Sequence, residues 1–285
     1  MNAVDYFSNK YSGITPKNSN LTKAKAAKND EFYTQYSDIE AELSHYDVKH
    51  FADRVVYLPC DDWHFSQFVK YFENNFTRLH LKALVATGIN FSGAGYYYRK
   101  TSEGVVTGVL EGNGDFRSDA CRQLMREADI IVTNPPFSLF GEFVAQIMEF
   151  RKKFLIIGNM NAVTYKEFFP LLKDNKVWLG TQGGIKSMYY IIPDSYPVPE
   201  SARKVCEKAL GVDYCKDKHI TYIRGNCWFT NIDIKRKHEP MSLFATYNAD
   251  KYSKYDGFDA IEVSSLKGIP CDYFGVMGVP ITYLY

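Results

Sequence analysis

The chain has 285 residues, enough for one large domain or a domain with a smaller appendage, and its 46% hydrophobic and 24% charged content is that of a soluble globular protein. A formal charge of +1 excludes a global pull on nucleic acid, so any such affinity rests on local clusters at Lys23-Lys25-Lys28, Arg151-Lys152-Lys153 and Lys235-Arg236-Lys237-His238. No stretch approaches the roughly 20 apolar residues of a membrane helix, no signal peptide is evident, and the cysteines form no C-x-x-C pair, which predicts a cytoplasmic protein with no membrane, metal or disulfide framework.

Residues 1–28 are polar and predict a loosely ordered arm. From Asp38 the spacing of Ile39, Leu43 and Tyr46 predicts a helix, followed by a strand at Val55-Val56-Tyr57-Leu58. A helix through Phe65, Phe68, Val69 and Phe72 and a strand from Leu81 to Ala86 come next, then a hairpin within 88–112. A short helix from Asp119 to Glu127 leads into Ile130-Ile131-Val132-Thr133, a β-branched run that reads as a buried strand. Helix from Glu142 to Phe150, strand from Phe154 to Gly158 and helix from Lys166 to Leu172 continue the alternation. Such alternation predicts an α/β fold, a doubly wound, mostly parallel sheet with ligands bound outside the carboxyl ends of its strands. Beyond Gly180 the pattern weakens into a Gly183-Gly184 loop, a Pro-rich stretch from Pro193 to Pro199, a helix from Ser201 to Leu210 and a hairpin-like Ile220 to Ile232. The expected division is therefore an arm at 1–28, a catalytic domain at 29–180, and remaining core strands with a recognition region at 181–285.

The strand at 130–133 runs directly into Asn134-Pro135-Pro136-Phe137. Each X-Pro bond bars the helical region to the residue before it, and Pro donates no ladder hydrogen bond, so the strand ends in a stiff loop. That loop holds an amide side chain, a bare carbonyl and an aromatic ring at one edge, a set suited to gripping a planar ring that carries an amino group. Read alone, an Asn-Pro-Pro sequence is also compatible with a simple turn.

The four residues match the (D/N/S)-P-P-(Y/F) signature of amino-group methyltransferases, with Asn at the head favouring adenine N6 over cytosine N4. Together with Lys28 to Tyr36, Val56 to Asp62, Gly114 to Arg117 and Tyr255 to Val263, in that order and spacing, the chain resembles the EcoRI-type adenine-specific DNA methyltransferases from about Lys23 onward. The resemblance implies a Rossmann-like fold and S-adenosylmethionine as cofactor. It also implies a flipped adenine in double-stranded DNA as substrate, acted on either by a solitary enzyme or by one paired with a cognate restriction endonuclease in the same system. Members of that family continue past the segment resembling 275–282, whereas this sequence ends at Tyr285, so the resemblance does not fix its DNA-binding strength.

By that resemblance Asn134, Pro135, Pro136 and Phe137 carry catalysis: the Asn134 side-chain oxygen and the Pro135 carbonyl accept the two N–H groups of the target amine, and Phe137 stacks on the base. Cofactor contacts fall to Phe32, Tyr33 and Thr34 at the methionine end and to Pro59, Cys60, Asp61 and Asp62 after the first strand, where a G-x-G loop is the commoner pattern. Asp115 takes the cofactor adenine amino group and Phe116 packs on its ring, although an isolated Asp at this spot also reads as a turn residue. The second strand lacks the usual terminal acid, leaving Thr87 or Asn90 as substitutes for holding the ribose. Trp228 is a second face for the flipped base or, read alone, a buried core residue. Two other functions compete: an RNA or protein-glutamine N-methyltransferase, and a DNA-binding module whose cofactor site has decayed.

Overall fold

The computed structural model describes residues 33–182, 186–192 and 198–284. The arm at 1–28, Phe32 and the Lys23-Lys25-Lys28 cluster lie outside the described residues. The chain divides into two compact units, one ending at Ile232 and one beginning at Asp233. The strands after Gly180 that join the main sheet therefore belong to the first unit.

In the first unit the apolar runs become the centre of a ten-stranded sheet. Strands β1 (Tyr33–Thr34), β2 (Val55–Leu58), β3 (Ala83–Gly88), β4 (Tyr96–Thr101), β5 (Gly104–Val109), β6 (Ile130–Thr133), β7 (Lys153–Asn159), β8 (Trp178–Leu179), β9 (Lys186–Ile191) and β10 (Ile220–Thr230) take the order β1-β9-β10-β7-β6-β2-β3-β4-β5, with β8 beside β10. Among the described strands of this sheet only β7, β6, β2 and β3 are mutually parallel, and the strands on either side pair antiparallel. Every residue of β3 and β6 is buried, as expected for strands covered on both faces.

The crossovers carry helices α1 (Tyr36–Leu43), α2 (Gln67–Asn74), α3 (Asp119–Glu127), α4 (Phe140–Glu149) and α5 (Phe169–Lys173), with α6 (Glu200–Leu210) and α7 (Val212–Cys215) before β10. Serine N-caps fix two of the starts: Ser66 Oγ accepts from the amides of Phe68 and Val69, and Ser118 Oγ from that of Cys121. From β2 the chain winds one way to β3, and from β6 it winds the other way to β7. The gap between the carboxyl ends of β2 and β6 is thus the switch point where such sheets bind ligands.

Two elements differ from the sequence expectation. Ile220 to Thr230 is one strand rather than a hairpin, pairing with β9 over its first half and β7 over its second, with a register shift between Ile223 and Asn226. Gly225, at φ +83°, sits inside that shift and supplies the left-handed residue a bulge needs. The helix expected at 166–172 shrinks to the five residues of α5, with Pro170 in its first turn.

The second unit has its own three-stranded sheet, β11 (Lys254–Tyr255), β12 (Phe258–Glu262) and β13 (Val276–Gly278), over a small core of Tyr252, Ile261, Val263 and Ile269. The Tyr255–Val263 segment noted in sequence is the turn and second strand of its hairpin. No helix among the described residues is long and apolar enough to cross a membrane.

Candidate active site

Asn134 leaves β6 at the switch point with both following prolines buried and Phe137 half-buried above them. Pro136 is extended (φ −55°, ψ 124°) and starts the 3-10 turn Phe137–Leu139, in which the Leu139 amide donates to the Pro136 carbonyl at 3.0 Å. Phe140, the next residue, anchors the loop's far end, its ring 5.5 Å from Phe168 and 5.6 Å from Phe229 in the core. The loop is stiff by covalent geometry and anchored by packing at its Phe140 end, which lowers the backbone entropy lost at binding.

The neighbouring loop lends Pro59, Cys60 and Asp61 to the floor of a two-part cleft. One compartment is walled by Ile89 and Phe91 on one side, Asn113 to Arg117 on another, and Pro136 and Leu139 on the third. The other is lined by Tyr33, Thr34, Asp61, Ser66, Phe68 and Asn134, together with Gln67 at the start of α2. Cys60 lines both compartments and is their joint. The Thr34 hydroxyl is buried in the second compartment and has no hydrogen-bond partner among the described residues, so a polar ligand group there satisfies an otherwise costly donor.

The two adjacent acids diverge. Asp61 is 6% exposed, its Oδ1 accepting from the Ser66 hydroxyl at 2.6 Å and its Oδ2 from the Thr133 hydroxyl at 2.7 Å. Burial pushes its carboxyl up to about 6, against the opposing pull of those two hydroxyls. Asp62 lines neither compartment: its Oδ1 sits 2.7 Å from His64 Nδ1, and its Cα packs against Gly88, where a Cβ would lie 2.7 Å away. Asp62 is thus directed to His64 and the end of β3 rather than to the cleft.

Asp115 reaches the first compartment because Gly114, at φ +83°, lets its loop pass over the end of β3; a Cβ on Gly114 would meet the Gly88 carbonyl oxygen at 2.4 Å. Its carboxylate accepts from the Arg117 backbone amide and Nε at 2.9 Å and from Nη2 at 2.7 Å. That pairing holds the Arg117 guanidinium above its ordinary range, the Asp115 bond being the main cause. Phe116 lines the compartment while its ring is built into the core, edge-on to Phe143 at 5.0 Å.

Several expected residues lie elsewhere. Trp228 is 3% exposed in β10, a central strand, and packs edge-on beneath Phe68 at 5.9 Å, so it supports the cleft from below and offers no face to a base. Thr87 is buried with its hydroxyl on the Pro59 carbonyl, and Asn90 spends its side chain shaping its own loop, bonded to Ala94 and Ser92. Neither is turned to a ribose. The Arg151-Lys152-Lys153 cluster begins β7, at the end of the sheet away from the cleft, and both lysines cap carbonyls, of Arg126 and Asn231. Ile89, Phe91, Asn113, Arg117, Ser66 and Gln67 were not anticipated. Only Arg117 had a sequence signal, its place at the end of the Gly114-Asp115-Phe116-Arg117 segment.

Among the described residues no group of three or more His, Cys, Asp or Glu side chains is arranged to hold a metal ion. The family model described as adenine-specific methyltransferase EcoRI matches residues 20–105 and 95–285. Type II methyltransferase M.EcoRI of Escherichia coli is 44% identical over an alignment covering 94% of this chain and 86% of its own. Type II methyltransferases M.MpnI of Mycoplasma pneumoniae and M.MgeORF184P of Mycoplasma genitalium are 38% and 36% identical, each across 93% of this chain and 81% of theirs. No solved structure matches the chain at a significant level.

Proposed function

The chain belongs to the EcoRI-type adenine-specific methyltransferase family, and from that premise we propose how its cleft serves the reaction. The protein is a DNA adenine methyltransferase. Its methyl donor in this reading is S-adenosylmethionine, which supplies a methyl group made electrophilic by the positive sulfur that carries it. The donor set fits such a ligand. The adenine end takes the compartment between Ile89, Phe91 and Phe116, with Asp115 accepting from its amino group. The methionine end takes the compartment with the orphan Thr34 hydroxyl, Tyr33, Gln67 and the Asp61 charge.

The observation that carries the reading is Asn134 at the switch point, within the same compartment as Thr34 and Asp61. The exocyclic amine of adenine is a poor nucleophile because its lone pair is delocalised into the ring. The Asn134 side-chain oxygen and the Pro135 carbonyl accept its two N–H groups, draw the nitrogen toward tetrahedral geometry and aim the lone pair toward the cofactor compartment. Phe137, half-buried in the turn after the two prolines, stacks on the ring of the extruded base. The relatives are type II methyltransferases, and the partner of this chain in that setting is double-stranded DNA carrying a sequence shared with a cognate restriction endonuclease.

Sequencing modified bases in DNA from cells that express the protein tests the whole reading. N6-methyladenine confined to one sequence context is expected; its absence, or methylation of cytosine, refutes it. Extrusion has its own test: 2-aminopurine at the target position brightens on binding, and persistent quenching in the presence of S-adenosylhomocysteine rules it out.

A further inference from the structure

We propose that Asp61 is a positioning residue for the methyl-acceptor loop, its carboxylate fastening Thr133, the residue before Asn134, to the start of α2. The proposal rests on the reading that Asn134 receives the target amine.

Along the seam between β2 and β6 the strand pairing consists of two residue pairs, Val56 with Ile130 and Tyr57 with Ile131. On its other side β6 stays paired with β7 as far as Thr133 opposite Ile156. The switch point therefore opens two residues before Thr133, on the side where the cleft lies. Across that opening the Thr133 hydroxyl donates to Asp61 Oδ2 at 2.7 Å. The other oxygen accepts from Ser66 at 2.6 Å, and the Ser66 hydroxyl oxygen in turn accepts from the amides of Phe68 and Val69. The backbone of Asp61 is fixed as well, its amide donating to the Thr87 carbonyl at 2.8 Å. One buried aspartate thus ties together four places, its carboxylate joining the N-terminus of α2 to the last residue of β6 and its backbone amide joining the loop after β2 to the end of β3. Charged acceptors make short, stiff bonds, and Thr133 is one peptide from the side chain that must meet the adenine amine. Releasing Thr133 frees the root of the Asn134 loop along this side while its prolines and Phe140 stay in place.

The test compares Thr133→Val, which removes the hydroxyl at nearly constant volume, with Thr133→Ser, which keeps it. Single-turnover methyl transfer to duplex DNA and calorimetric affinity for S-adenosylhomocysteine are read for both, for Asp61→Asn, for the Asp61→Asn/Thr133→Val pair and for Asn134→Ala. The Thr133→Val rate is expected to fall between about 10-fold and about 10²-fold, the size of effect that a displacement of about 1 Å produces, with S-adenosylhomocysteine affinity unchanged. Thr133→Ser restores the rate, and the pair is no slower than the slower single variant because both changes cut one bond. A full rate in Thr133→Val, losses that multiply in the pair, or an affinity loss in Thr133→Val matching its rate loss would each overturn the proposal. Asn134→Ala separates the two claims: if it is inactive while Thr133→Val is fully active, only the fastening role fails, and if it is fully active the acceptor-loop reading fails with it.

Discussion

The two loops that meet at the switch point are held in place by different means. Asn134 to Phe137 is stiff because of its own covalent chemistry: two prolines fix the backbone, and the turn that follows is closed by a local bond from Leu139 to Pro136. Pro59 to Asp62 has one proline and no such economy. Its shape comes from partners distant in sequence: Thr87 for the Asp61 amide, Thr133 for the Asp61 carboxylate, and Gly88 against the Asp62 backbone. A loop of the first kind tolerates change around it and fails when its own residues change. A loop of the second kind fails when any of several remote residues changes. In the proposed mechanism the first loop carries the chemistry of the amine and the second the alignment of cofactor and acceptor.

The sharpest way to break that contrast is Asn134→Ala. Loss of a pre-oriented acceptor should lower methyl transfer by about 10²–10³-fold, while calorimetry shows S-adenosylhomocysteine affinity and thermal stability near those of the parent. Equal losses in affinity and rate would mean that the two loops are not separable in function.

Gly114→Ala attacks the remotely held side. At φ +83°, with the Gly88 carbonyl 2.4 Å from the added carbon, the strain is expected to cost about 1–3 kcal/mol or more, read as a lower Tm together with weaker cofactor binding. Gly112→Ala is the control: it shares a positive φ of 86° but has nothing within 4 Å, and its loss should be the smaller of the two. Similar losses would show that backbone strain alone, not the close approach to β3, shapes this wall of the cleft.

Asp115→Ala should weaken cofactor affinity by about 1–3 kcal/mol, the cost of leaving a buried donor of the ligand unpaired. Arg117→Gln should cost less, since the Arg117 backbone amide still donates to Asp115 at 2.9 Å. An unchanged dissociation constant in Asp115→Ala would reduce that residue to a partner of Arg117.

The smallest expected effect is on pH. Asp61 has a folded carboxyl raised to about 6 by burial, so between the ordinary carboxylate range and that value the folded state holds the proton more readily than the unfolded one. For this group alone, stability increases as pH falls through 6, whereas activity declines because a protonated carboxyl can no longer accept from both Ser66 and Thr133. The carboxylate of Asp62 is the other charge acting on it. A single-turnover rate that declines below pH 6 in the parent, with no parallel fall in Tm across that window, is the expected pattern. In Asp61→Asn the step near pH 6 disappears; if it persists, another group governs the profile.

The sequence by itself determined the parts whose causes lie within a few residues. Serine caps start α2 and α3, and β-branched runs become the buried centre of the sheet. The Asn-Pro-Pro-Phe loop follows from the exclusion of helical backbone before proline, and it stands where a doubly wound sheet opens. What the sequence left open depends on where a side chain's lone pairs and faces point once distant segments have met. Asp61 and Asp62 are adjacent and chemically alike, yet one faces the cleft because Thr133, 72 residues on, donates to it, and the other turns to His64. Trp228 became a support under Phe68 because β10 is one central strand and not a hairpin. Glu42 is fully buried on α1, its two carboxylate oxygens accepting from the Tyr46 hydroxyl and from the amides of Thr181 and Gln182, two partners that only the fold supplies. Local sterics are written into neighbouring residues, whereas desolvated polar groups take their orientation from partners that only the folded chain brings within about 3 Å.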